Sequence, residues 1–72
     1  MAIPQETLDN WFMYHAPTPE QLVAYNDLRA GAKAFAELIN AHVPDSADKT
    51  AAIRKLRECV MTANAAIACG GK

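Results

Sequence analysis

The chain is poor in the residues that usually hold small proteins together or equip them for catalysis: 72 residues contain two cysteines, two histidines and three glycines. Cys59 and Cys69 lie ten residues apart in one helical pattern, or roughly 15 Å along its axis. Disulfide Cα atoms sit within about 7 Å of each other, so these two cannot form a bridge. With His15 and His42 they show no CxxC or HxxxH spacing, which excludes the familiar metal-site motifs. Gly70 and Gly71 end a helix and Gly31 stands alone in one, where it reads as a close-packing site, so no glycine-rich loop cradles phosphate. Neither sign of charge is in excess: the net charge of −1 and pI near 6.0 exclude a bulk electrostatic grip on DNA. No uninterrupted apolar run approaches the roughly eighteen residues of a membrane span, and the opening MAIPQETL lacks a signal pattern, so no membrane association is expected and a reducing cytoplasm is the expected address. No segment alternates with period two, which leaves a sheet without candidate strands. The predicted fold is all-α.

What the chain has is alanine. Hydrophobic residues make up 51% of it, but fifteen are alanines, and the larger apolar side chains form a thin core for a monomer. Ordering costs roughly 1.5 kcal/mol per residue, and chains of this size offset it with disulfides, a metal or oligomerisation. With the first two excluded, self-assembly remains.

Two turn signals divide the sequence. In Thr18-Pro19-Glu20-Gln21 the threonine is an N-cap, the proline the favoured first helical residue and the glutamine the reciprocal partner of a capping box, so a helix is predicted over about 19–42. Its apolar seam reads Tyr25, Leu28, Ala32, Phe35, Ile39 and His42. In Val43-Pro44-Asp45-Ser46 the proline disfavours helix at Val43, and Ser46 with Asp48 starts a second helix over about 47–69, with the seam Ile53, Leu56, Val60, Ala63 and Ile67. So short a connection makes the two helices antiparallel neighbours. Before them, about 4–13 suits a short amphipathic helix through Leu8, Trp11 and Phe12. The whole of 1–72 reads as one helical hairpin domain. Ala24, Ala30, Ala34, Ala36, Ala52, Ala65, Ala66 and Ala68 are assigned to outward faces, where small side chains permit close approach of other copies and alanine also serves as the best helix former.

Residues 11–17, Trp-Phe-Met-Tyr-His-Ala-Pro, gather three of the five aromatics. Trp11 and Phe12 read as a plug between the first helix and the hairpin. Tyr14 and His15, just before a proline turn, are placed to present a ring to a ligand, and aromatic faces stack on nucleobases at about 1 to 3 kcal/mol each. Tyr25, Arg29 and Lys33 form an i, i+4, i+8 column that either holds a base and its phosphate or is a solvated flank. Lys49, Arg54, Lys55 and Arg57 make a basic half-helix that reads first as a solvated face. Cys59 beside Val60 reads as core, and His42 as a packing or capping residue. No catalytic constellation emerges, and no metal or other cofactor is expected.

Taken together, Trp-Phe-Met-Tyr-His-Ala-Pro-Thr-Pro (11–19), Tyr25-x-x-Leu28-Arg29-x-x-x-Lys33-Ala34-Phe35-Ala36 and Met61-x-Ala-Asn64-Ala-Ala-Ile67-Ala resemble the phage anti-CBASS cyclic-nucleotide sponges, whose helical hairpin is shared with phage sponges for TIR-derived signals. The resemblance runs from about Gln5 to Ala68. It implies a homo-oligomer, a hexamer, in the cytoplasm of the infected bacterium. Such an assembly captures cyclic dinucleotides such as cyclic GMP-AMP between protomers, and in several members cyclic trinucleotides at separate sites, without cleaving them, so the host effector is never triggered. Carried onto this sequence, Tyr14 stacks on a base and Lys33 or Arg29 meets phosphate, with His15, Tyr25 and Trp11 as neighbours; Asn64 and Arg57 are candidates for the second site. The rival reading is a helical oligomer that binds a host protein and no nucleotide.

Overall fold

A computed structural model describes residues 2–72, and among them there are three helices and no strand. Helix α1 is Gln5–Trp11, α2 is Pro19–His42 and α3 is Ala47–Ala68. α1 is shorter than the spacing predicts, because apolar spacing marks a face and not an end. Pro4, with ψ 144°, caps the helix from outside, and Phe12 leaves helical torsions while its N–H still bonds to the Leu8 carbonyl.

The hairpin's ends are fixed by local chemistry. The Thr18 hydroxyl accepts from the Gln21 N–H at 3.1 Å, and the Gln21 amide oxygen accepts from the Thr18 N–H at 3.0 Å, completing the capping box. Val43, held extended before Pro44, stops α2, and the Ser46 hydroxyl accepts from the Lys49 N–H at 3.1 Å to start α3. Lys49 then staples the turn: its ammonium donates to the Asn40 carbonyl at 2.9 Å and to the Asp45 carboxylate at 2.8 Å. At the other end of α3, Gly70 and Gly71 take φ of +67° and +76°. The Gly70 N–H bonds to the Ile67 carbonyl and the Gly71 N–H to the Ala66 carbonyl, a Schellman closure that only residues free of a Cβ enter without strain.

Between the helices, Ile53, Leu56, Val60, Ala63 and Ile67 of α3 are all half-buried, as their spacing predicts. The α2 seam is different. It comprises Gln21, Tyr25, Ala32, Ala36 and Ile39, whereas Phe35 is 55% exposed and His42 is also exposed. A 24-residue helix carries a second three-four stripe, Leu28, Gly31, Phe35, Leu38 and His42, and spacing alone does not say which stripe meets α3. Four alanines predicted to face outward, Ala24, Ala36, Ala52 and Ala68, are half-buried instead, while Ala30, Ala34, Ala65 and Ala66 are exposed. Cys59, predicted as core, is exposed because it sits one position off the seam.

No described residue is fully buried. The molecule is a slab of 45 × 35 × 15 Å whose 5891 Å² of accessible surface exceeds the roughly 4,400 Å² of a compact monomer of this mass. Its radius of gyration of 15.6 Å likewise exceeds the about 11 Å of a compact 72-residue domain.

The turn staple yields a test. Ser46→Ala removes a cap and is expected to cost about 1 kcal/mol, and Lys49→Ala to lower the melting temperature further by freeing the Asn40 carbonyl; thermal circular dichroism at fixed protein concentration measures both. Hydrogen bonding from Lys49, then its charge, holds the Asp45 carboxyl below the ordinary carboxylate range. A lowered carboxyl stabilises the fold above its unfolded value and stops doing so as pH falls through the folded one. Wild-type and Asp45→Asn melts are therefore expected to differ slightly at neutral pH and to converge in acid.

Candidate functional site

The candidate residues fall into two groups at different levels of the hairpin. The first occupies one broad face of the α2–α3 pair at mid-length. Arg29 and Lys33 of α2 and Arg57 of α3 line a shallow groove with Ala32, Ala36, Ile53, Leu56, Val60 and Met61. The three cations come from both helices, which sequence spacing did not reveal: Arg57 was a candidate for a separate site, and antiparallel pairing sets it across from the α2 pair. Among the described residues the one ion pair is Lys49–Asp45, so none of these three cations has an acidic partner within the chain. A floor of methyl and methylene groups under unpaired guanidinium and ammonium groups suits a flat apolar ligand with anionic edges.

Tyr25 does not join them. Each four-residue step overshoots a full helical turn by about 40°, so the Tyr25-Arg29-Lys33 column winds round α2. Tyr25 is half-buried against the hairpin seam, while the two cations stand on the face.

The second group lies at the open end of the hairpin. The His15 ring sits half-buried with Nε2 donating to the Asn10 carbonyl at 2.6 Å, so this nitrogen caps the end of α1. A carbonyl only accepts, which fixes the proton on Nε2 and leaves Nδ1 as the ring's free polar atom. Trp11 donates its indole N–H to the Lys72 carbonyl at 3.2 Å. The plug predicted of Trp11 and Phe12 is not formed: Trp11 is nearly half exposed and Phe12 is 84% exposed. The α1 face is too short to cover both rings. Tyr14, 82% exposed, presents nearly its whole ring. Lys33 stands fourteen residues into α2 from Pro19, about 21 Å along the axis from the end where this aromatic strip attaches. One chain thus supplies rings and cations at separate levels.

Asn64 is half-buried on α3, seven residues and about 10.5 Å from Arg57 along the axis. Its amide oxygen is buried and has no hydrogen-bond partner among the described residues. Gln21 shows a role the sequence did not: beyond its capping box, its amide donates to the Ile67 carbonyl at 3.2 Å and ties the start of α2 to the end of α3. Capping spacing reveals the first bond; the second depends on a residue 46 positions away.

The chain belongs to the Acb2/Tad1 hairpin-domain family, the anti-CBASS and anti-Thoeris sponges, whose domain it matches over residues 4–68. The family is known for cyclic-nucleotide sponge activity and is one of binding domains rather than catalysts. No curated protein and no solved structure matches the chain. Among the described residues no helix is long and apolar enough to cross a membrane.

The unpaired oxygen of Asn64 generates a prediction. A buried acceptor without a donor costs about 1 to 3 kcal/mol, and leucine matches asparagine in shape while favouring helix. Asn64→Leu is expected to raise the melting temperature of the ligand-free protein, measured by thermal circular dichroism; a fall would count against an unsatisfied oxygen at this position.

Proposed function

We propose that the chain captures cyclic oligonucleotide second messengers in the cytoplasm of an infected bacterium and holds them uncleaved, so that the host CBASS effector stays inactive. Cyclic dinucleotides such as cyclic GMP-AMP are the first ligand class, with cyclic trinucleotides at a separate site near Asn64. The observation that carries this reading is the groove in which Arg29, Lys33 and Arg57 stand unpaired around an apolar floor, in a chain whose net charge is −1. A basic face on a near-neutral chain is a local device for a small anion, not a track for nucleic acid. A cyclic dinucleotide presents two phosphodiesters for the cations and two purine faces for aromatic and aliphatic surfaces.

The separation of rings and cations along one chain supports a site completed by a second copy, with Tyr14 of one protomer stacking over a base whose phosphate meets Lys33 or Arg29 of another. The surface excess and the exposed stripe of Leu28, Phe35 and Leu38 favour such assembly; we take it to be the homohexamer that membership of the family suggests. The magnitudes are adequate: two stacked bases at about 1 to 3 kcal/mol each and several charge-assisted bonds at about 1.5 to 3 each reach the about 12 kcal/mol of nanomolar affinity when the site is preformed. Sequestration needs no nucleophile, and His15 spends one ring nitrogen on the Asn10 carbonyl.

The same exposed stripe is what favours the second reading, a helical oligomer that grips a host protein and ignores nucleotides. Native mass spectrometry with a mixture of cyclic di- and trinucleotides separates the two. The expected result is an intact oligomer carrying ligands of unchanged mass. Tyr14→Ala and Lys33→Ala are each expected to weaken cyclic GMP-AMP binding by about a hundredfold, the loss of one stacking or charge-assisted contact, with the oligomer intact. A ligand-free oligomer would leave the protein-binding reading, and linear product would make the protein a hydrolase.

A further inference from the structure

Of the apolar side chains of helix α1 only Leu8 is half-buried, so apolar packing does little to hold the helix on the hairpin. Hydrogen bonds to the end of α3 do so instead. The Asn10 side-chain amide donates at 3.2 Å to the Cys69 carbonyl, which lies just past the end of α3 and also accepts from the Lys72 N–H at 3.4 Å. The Cys69 thiol, a weak donor, points back to the Asn10 carbonyl at 3.9 Å, and the next residue, Trp11, reaches the Lys72 carbonyl. The same Asn10 carbonyl accepts from His15. One asparagine therefore meets the last turn of α3 with its side chain and the far end of the aromatic strip with its backbone. Between those anchors Tyr14 has little packing of its own, so its place is inherited from the backbone on either side.

We propose that Asn10 is the positioning residue of the strip Trp11–His15: by clamping both ends of the strip it sets where the Tyr14 ring stands, and so sets ligand affinity without touching the ligand. The proposal rests on the reading of Tyr14 as the base-stacking ring. With the side-chain bond to Cys69 lost, α1 and the strip are no longer held on α3 while the His15 bond to the Asn10 backbone remains, so the strip must be fixed against the hairpin again at each binding event, a cost that lowers affinity and leaves the hairpin itself unchanged.

Asn10→Asp tests it, keeping the shape of the side chain while removing its donor and setting a carboxylate against the negative end of α3. Asn10→Ala removes the donor without adding charge and serves if the aspartate variant fails to fold. Trp11, the only tryptophan, sits in the clamp and reports on it by fluorescence. The expected result is a shift of Trp11 emission to longer wavelength and cyclic GMP-AMP binding weakened by about tenfold or more, with oligomer mass and helical circular dichroism as in wild type. Asn10→Gln, which retains an amide donor, is expected to recover part of the affinity. Tyr14→Ala should weaken binding by the same roughly hundredfold expected above with the emission unmoved, separating the contact from its support. An Asn10→Asp protein that binds as tightly as wild type, or whose Trp11 emission does not move, overturns the proposal. If wild type binds no cyclic nucleotide, the reading of Tyr14 falls and takes the affinity role with it, while the emission shift still decides whether the clamp exists.

Discussion

When two helices pack as an isolated pair, each covers only the side chains pointing at its neighbour, and no third layer closes over the rest. In this chain that limit is reached with no described residue fully buried and with Phe12, Tyr14, Phe35, Leu38 and Met61 left at the surface. Backbone hydrogen bonds within the helices are satisfied regardless, so the element boundaries are sharply defined even though the core is thin. What holds the pair in register is polar as much as apolar: Lys49 on the Asn40 carbonyl at the closed end, Gln21 on the Ile67 carbonyl at the open end.

Features set by neighbours in sequence were legible. Thr18, Gln21, Pro44 and Ser46 announce the ends of α2 and α3 because a cap is made within three or four residues. The α3 seam was legible because only one stripe of that helix is rich in large apolar residues. On α2 two stripes interleave at the same three-four step, and the choice between Phe35 and Ala36 is made by the partner helix, which sequence periodicity does not contain. Cys59 was misplaced for a related reason, since one position along a helix turns a side chain by about 100°. The site was half legible. The arginine and lysine on α2 could be paired by spacing, but the convergence of Arg57 upon them is a product of antiparallel register, and the clamp at Asn10 joins residues 59 positions apart.

The two broad faces of the slab differ in character, and that difference organises the functional reading. One face bears Arg29, Lys33 and Arg57 around methyl-rich floor, and the other bears Leu28, Gly31, Phe35 and Cys59 along a second groove. A Cβ placed at Gly31 would meet nothing within 4 Å, so nothing inside one chain accounts for a glycine that costs its helix about 1 kcal/mol relative to alanine. A chain of this length can keep one charged and one apolar face because neither face has to serve as the core.

The separation in sequence of the contacts also orders their formation in time. Residues 43–46 close a very small loop, so α2 and α3 meet through local contacts of the kind that form fast. The bonds from Asn10 and Trp11 to Cys69 and Lys72 close a loop of about sixty residues, which carries more closure entropy and repays it with a few hydrogen bonds. The two ends of the chain are thus expected to join last and release first. The aromatic strip is held by the contacts that close the longest loop, so its amides are expected to exchange with solvent before those of the hairpin.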